Sequence, residues 1–250
     1  MPVIECYGLP GSGKTYLEEK LQNGLRREGF RVYSRKEVVD TGLRVRDDGW
    51  ATALVKTLVP KTIWRRIIHE DYCLQELLNH FAEWPEFIEQ VVHTIHTSQV
   101  SAVHARSIIG AVAKTCVEAQ LLKSMTFKNS VFIADEWFCH RMHTVHGNCQ
   151  CAVNSDDVEK YLTTIPLPDI AIFVATSPRD CIARMGRRSR FPEYIDGLSE
   201  REMVLNLEIS YQNLRSMTRQ LSKLSVKTIE YDGVSVQHVV DECAEAVRGQ

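Results

Sequence analysis

The sequence lacks any stretch near the roughly 18–20 consecutive apolar residues that a membrane helix needs, so no membrane partner is expected. It also lacks a basic segment followed by a short apolar core at its start. Residues 3–7 already read as a strand, and a cleavable leader is not expected. Net charge is nearly absent, with 30 Lys and Arg against 32 Asp and Glu in 250 residues. That balance argues against a surface built to coat nucleic acid, which is not an expected partner. No C-x-x-C pair occurs. The eight cysteines are scattered, and Cys6, Cys116, Cys181 and Cys243 fall inside apparent core elements. Reduced thiols and a cytoplasmic location are the expectation. Internal repeats, low-complexity tracts and linkers are missing too, so residues 1–250 read as one domain.

What is present begins with Gly8-Leu9-Pro10-Gly11-Ser12-Gly13-Lys14-Thr15, a full match to G-x-x-x-x-G-K-[ST]. An apolar run, Val3 to Tyr7, leads into it as a buried strand. Leu17, Leu21 and Leu25 follow at four-residue spacing as one face of a helix. In such a loop small residues let backbone N–H groups turn inward around a polyphosphate, while the helix behind points its positive end at the charge. Gly8, Leu9, Pro10, Gly11, Ser12, Gly13, Lys14 and Thr15 are therefore candidate ATP-binding residues. Lys14 would reach the β- and γ-phosphates, and Thr15 would be a Mg²⁺ ligand.

The rest of the chain alternates. A second strand is expected at Phe30–Ser34 and a polar loop at Asp40–Gly49. Helices broken at Pro60 and Pro85 should then run from about Ala51 to Lys123, with no period-two pattern among them. Ser130–Ala134 is the third strand, and a helix capped by Ser155 precedes Pro166. Ile170–Ala175 is the fourth strand and Val226–Tyr231 the fifth. Helices open at Ser177-Pro178, at Ser199 and after Asp232-Gly233. Five strands alternating with helices, several of them apolar throughout, predict an α/β fold. It would be a three-layer α/β/α P-loop NTPase fold with a five-stranded parallel sheet and a helical insertion, about residues 51–125, between strands 2 and 3. Ligands then belong at the carboxyl ends of the strands.

Two further groups fall at that edge. Asp135, after four apolar residues, suits Mg²⁺ coordination, and Glu136 could orient or deprotonate an attacking group. Arg184, Arg187, Arg188 and Arg190, with Arg179 one turn before, suit a lid over residues 184–192 that neutralises charge during phosphoryl transfer. A solvated basic surface, or a nucleic-acid patch, is the alternative for these arginines. Cys139, His140, His143, His146, Cys149 and Cys151 pack six ligand-type side chains into one short stretch. Without a C-x-x-C pair, they read as a helix packing Cys and Met with histidines facing the cleft, rather than as a zinc site. Trp50, Trp64, Trp84, Phe81 and Phe87 read as core of the helical insertion.

These segments resemble the P-loop nucleoside and nucleotide kinases, with the thymidylate-kinase and deoxynucleoside-kinase branch most similar. The likeness rests on the Gly8–Thr15 loop, Asp135, and the run Ile182-Ala183-Arg184-Met185-Gly186-Arg187-Arg188. Tyr211 and Ile229-Glu230-Tyr231-Asp232-Gly233 extend it to the tail. It implies ATP and Mg²⁺, and places Arg184 and the loop after Tyr231 near the adenine. Two features depart from the pattern. The family carries an arginine directly after its acidic residue, where this chain has Asp135-Glu136, and the stretch between strands 2 and 3 is long. The acceptor's identity therefore does not carry over. Arg35, Glu37 and Arg106 are candidate acceptor contacts that read more simply as surface charges.

The expected activity is thus transfer of a γ-phosphate from ATP to a small-molecule acceptor. Lys14, Asp135, Glu136, Arg184, Arg187 and Arg188 would carry the chemistry, with Thr15 and Asp135 on the metal. A homodimer is compatible with the sequence. A P-loop ATPase without an acceptor and a non-enzymatic nucleotide-binding module remain the alternatives. No Asn-Lys-x-Asp or Leu-Ser-Gly-Gly signature favours the ATPase.

Overall fold

The apolar runs become the strands of one sheet because helices cover both of its faces. The computed structural model describes residues 1–39, 83–98, 100–124, 129–147, 152–233 and 235–249. Strands β1 (Val3–Gly8), β2 (Arg31–Ser34), β3 (Ser130–Asp135), β4 (Ile170–Val174) and β5 (Lys227–Tyr231) form the sheet. They pair in parallel in the order β2-β3-β1-β4-β5, which puts β1 at the centre.

Side chains alternate across the pleat and sort into two apolar layers. Ile4 and Cys6 of β1 pack with Leu17, Leu21 and Leu25 of helix α1 (Lys14–Arg27). Val239, Val240 and Cys243 of the last helix complete that layer. Tyr7, Phe132, Ala134 and Phe173 face the opposite layer. It is built from α2 (Pro85–Thr97), α3 (Ala102–Ser124), α4 (Phe138–Met142), α5 (Ser155–Thr163), α6 (Pro178–Arg187) and α7 (Glu200–Lys223). The last helix, α8 (Val236–Arg248), shares the α1 face. This is the expected three-layer α/β/α P-loop fold, with α2 and α3 inserted between β2 and β3.

Local signals act where the sequence placed them, with small shifts. Pro85 starts α2, and Trp84 and Phe87 are buried against Phe138, as core aromatics should be. Ser177 caps α6, and Ser199 forms a full capping box with Glu202 on α7. The cap of α5 is Asn154 rather than Ser155. Asn154 has the extended backbone a cap requires, and its side chain accepts the Asp157 N–H at 2.8 Å. The stretch from Cys139 continues α4 into a π-helical turn, His143–Gly147, a form often found at functional sites. The expected loop at Asp40–Gly49, Pro60, and Trp50, Trp64, Phe81, Cys149 and Cys151 lie outside the described residues.

Candidate active site

The carboxyl ends of β1, β3 and β4 meet at one edge, where the Gly8–Thr15 loop, Asp135, Glu136, Arg184, Arg188 and Arg190 come together. Gly11 has φ 79, and a Cβ on it would sit 2.7 Å from the Cys181 carbonyl of α6. Gly13 takes φ 105 as the cap of α1. Only glycine fits both demands, so the loop wraps tightly and α6 packs directly on its back. Leu9 turns into the core, while Pro10, Gly11 and Gly13 line the cleft. The buried Ser12 hydroxyl has no partner. An unsatisfied donor of that kind inside a ring of N–H groups suits a phosphate oxygen.

Lys14 is folded back on its own loop, donating to the carbonyls of Gly8 (3.2 Å) and Leu9 (3.1 Å). Burial lowers its pKa, and the nearby carboxylates of Glu136 and Asp135 partly offset that. Thr15 Oγ1 donates to Asp135 Oδ2 at 3.3 Å across the gap between α1 and β3. This hydroxyl and carboxylate are hard oxygen donors of the kind that could hold Mg²⁺.

Glu136 is the most unusual residue of the site. Its φ of 64 lies in the left-handed region, where a long side chain is an outlier. Two guanidinium groups hold it there. Arg35 Nη1 donates to the Asp135 carbonyl (2.7 Å) and the Glu136 carbonyl (3.3 Å), and Arg141 Nη2 donates to the Glu136 carbonyl as well. The twist brings the carboxylate to 3.9 Å from Lys14 Nζ and 3.6 Å from His140 Nε2. Burial pushes the Glu136 carboxyl up, but Lys14, Arg141 and Arg35 outweigh it and its pKa is lowered. It is an ionised acceptor at neutral pH, aimed into the cleft.

Arg35 is therefore no surface charge. Its side chain is 14% exposed and pairs with the buried Glu118 of α3 at 2.8 Å. Glu37 stays exposed, bound to Ser34 and Arg26, and Arg106 is exposed as expected. Arg35 from the end of β2 and Arg141 from α4 thus bring two guanidinium groups to the Asp135-Glu136 backbone. The position of Arg35 at the carboxyl edge of the sheet was the signal available for it. Nothing local marks Arg141.

On the other wall, Arg184 Nη1 donates to the Ser12 carbonyl at 2.7 Å, as does Thr176 Oγ1 at 2.8 Å. Arg184 thus ties α6 to the phosphate loop. Arg188 and Arg190 line the same cleft, of about 730 Å³, together with Lys14, Thr15, Glu136 and Tyr194. Arg187 and Arg179 are exposed and outside that lining. The volume is that of a typical small-ligand pocket.

Behind the site, Glu5 is fully buried in the middle of β1 and accepts the backbone N–H groups of Cys139 (2.9 Å) and His140 (2.8 Å). It caps α4 from a different element, which no local pattern could show. Burial raises its pKa to about 7 despite those bonds. Cys139 and Met142 enter the core, while His140 and His143 lie by the site. Among the described residues no three His, Cys, Asp or Glu side chains are placed to hold a metal ion. Another hollow, at the opposite edge of the sheet, has its charged side chains already engaged, Arg248 with Glu28 and Asp169 with the Val3 N–H.

A P-loop motif at the carboxyl edge of a parallel sheet, with a strand-end Asp and a flanking arginine segment, is what fold and site define. No family model and no curated protein matches the chain. Among solved structures it is similar to deoxyadenosine kinase from M. mycoides with bound dCTP, at TM-score 0.44 and 13% identity, over 99% of this chain and 100% of that one. The same enzyme with products dCMP and a flexible dCDP bound gives TM-score 0.47 at 13% identity and the same coverage. Among the described residues no helix is long and apolar enough to cross a membrane.

Proposed function

We propose that the protein is an ATP-dependent phosphotransferase that moves the γ-phosphate to a small-molecule acceptor carrying a hydroxyl or phosphate. One observation carries this reading: Glu136 is held in a strained conformation that aims an ionised carboxylate at the cleft beside Lys14, one residue from the Asp135–Thr15 pair. Strain that two arginines maintain at a phosphate loop is the mark of a positioned catalytic group.

In this reading the loop's backbone N–H groups and the Ser12 hydroxyl cradle the donor phosphates, and Lys14 leaves its loop carbonyls for the β- and γ-oxygens. Thr15 and Asp135 would hold Mg²⁺, which when bound neutralises charge on those oxygens. Glu136 orients the acceptor and takes its proton where the acceptor is a hydroxyl. Arg188 and Arg190 face the transferred group, and Arg184 positions the loop. Arg187, at the end of α6, strengthens the local positive field. Nucleosides and nucleotides are the first acceptors to try, since the sequence resemblance to their kinases spans both the loop and the arginine segment.

The test is ADP release from ATP, with and without a panel of nucleosides, nucleotides and sugars. Release that depends on an acceptor is the expected result. Turnover indifferent to every acceptor would favour an ATPase, and binding without turnover a nucleotide-binding module. Intact binding and turnover in Lys14→Ala would remove the reading altogether.

A further inference from the structure

The arginine segment is fastened at both ends, and one of its fastenings has no role in the site as described so far. The near end is the Arg184 bond to the Ser12 carbonyl. From there α6 closes with a Schellman turn: Ser189 N–H donates to the Gly186 carbonyl (3.0 Å) and Arg190 N–H to the Met185 carbonyl (3.3 Å). Ser189 adopts φ 48 at the position glycine usually fills. The chain thereby folds back so that Arg188, Arg190, Phe191, Pro192 and Glu193 run along the cleft. Among the described residues no carboxylate pairs with Arg187, Arg188 or Arg190.

The far end is Tyr194. Its hydroxyl shares a hydrogen bond with His143 Nε2 at 3.1 Å, and its ring stacks on His104 of α3 with centroids 6.2 Å apart and planes at 15°. Ile195 beside it is fully buried. His143 stands on the π-turn next to His140 and thus on the Glu136 wall. Burial, and then the positive charge of Lys14, lower the His143 pKa to about 3, while burial raises that of Tyr194. Both partners are neutral at physiological pH, so the bond is not broken by titration there.

We propose that Tyr194 is a positioning residue: through His143 it ties the far end of the arginine segment to the Glu136 wall, so that Arg188 and Arg190 are held over the phosphate loop between two fixed points. The tether is read from geometry alone; its catalytic consequence rests on the phosphotransferase reading above. A segment held at both ends loses little freedom when its arginines meet the transferring phosphoryl group. A segment held at one end must be ordered at that moment.

The experiment uses the full chain and Tyr194→Phe, which keeps the ring on His104 and removes only the hydroxyl. Amide hydrogen exchange over residues 186–193 without nucleotide should quicken roughly 5- to 10-fold, the worth of one such hydrogen bond. With an acceptor found, kcat should fall by a similar factor of about 5–10 while the KM for ATP stays within about twofold, because the donor is held by the loop. In His143→Phe the same changes are expected, and the double variant should be no worse than either single one. Unchanged exchange in Tyr194→Phe overturns the tether, and faster exchange with unchanged kcat overturns its catalytic role. Effects that add in the double variant show that the two side chains do not act through each other. Binding of Mg·ATPγS to the wild type is measured alongside. If it is absent, the phosphotransferase reading falls and takes the catalytic role of Tyr194 with it, whereas binding with unchanged exchange removes the tether alone.

Discussion

Replacing Glu136 by glycine and by glutamine separates the backbone's contribution from that of the carboxylate. An L side chain in the left-handed region costs roughly 1–2 kcal/mol, and Glu136 sits there at φ 64. Glutamine keeps that cost and the chain length. Glycine removes the cost but adds about 0.5–1 kcal/mol of backbone entropy to lose on folding. Both substitutions delete the ion pair with Lys14, whose carboxylate is 44% exposed, so its worth is under about 1 kcal/mol and cancels in the comparison. The glycine variant should therefore be more stable than the glutamine variant by about 0.5–1 kcal/mol. In a chain of this size that is a difference of about 1–4 °C in Tm. Both variants should lose on the order of 100-fold in turnover with a hydroxyl acceptor if Glu136 takes its proton. Thermal denaturation and acceptor-dependent ADP release are the assays. A glycine variant no more stable than the glutamine variant would refute the strain, and a glutamine variant with full turnover would refute the role of the carboxylate.

Three other outcomes follow from the same geometry. Glu5 has its pKa raised to about 7 by burial, so its contribution to stability is complete below about 4.5 and is lost as pH rises through 7. Relative to wild type, Glu5→Gln should gain about 3 kcal/mol between pH 4 and pH 8, and urea midpoints at the two pH values check it; a constant difference would contradict the assignment. Arg35→Ala leaves Glu118, with a side chain 1% exposed, buried without its cation, at a cost of about 3–5 kcal/mol, while Arg35→Met combined with Glu118→Leu should recover most of it. Denaturation of the double variant at or below the stability of Arg35→Ala would show that the pair is not coupled. Gly11→Ala places a Cβ 2.7 Å from the Cys181 carbonyl at φ 79, so the loop must part from α6. Titration with a fluorescent ATP analogue should show affinity weakened by roughly tenfold or more, about 1.4 kcal/mol, and unchanged affinity would exclude that packing as a constraint on the loop.

The sheet and the phosphate loop could be read from the sequence because both are written in local terms. Apart from Glu5, Ser130 and Asp135, Val3–Gly8, Ser130–Asp135 and Ile170–Val174 are apolar and show no alternation, as suits a sheet covered on both faces. Gly11, Gly13, Lys14 and Thr15 stand at fixed spacing because the loop's backbone demands it. The strand ends in turn place Asp135 and Glu136 at the right edge. What remained hidden are interactions between residues far apart in the chain. Arg35 meets Glu118 83 positions away, and Glu5 caps a helix 134 positions away. Arg141 of α4 and Arg35 after β2 both reach the Glu136 carbonyl, which holds its twist. Tertiary packing decides which charges are buried, and burial decides which of them must find partners. The sequence by itself determined the G-x-x-x-x-G-K-[ST] loop and the end of the sheet at which it stands. Only the tertiary structure decided that Glu136 points into the cleft, since the two guanidinium groups that keep it there come from separate elements.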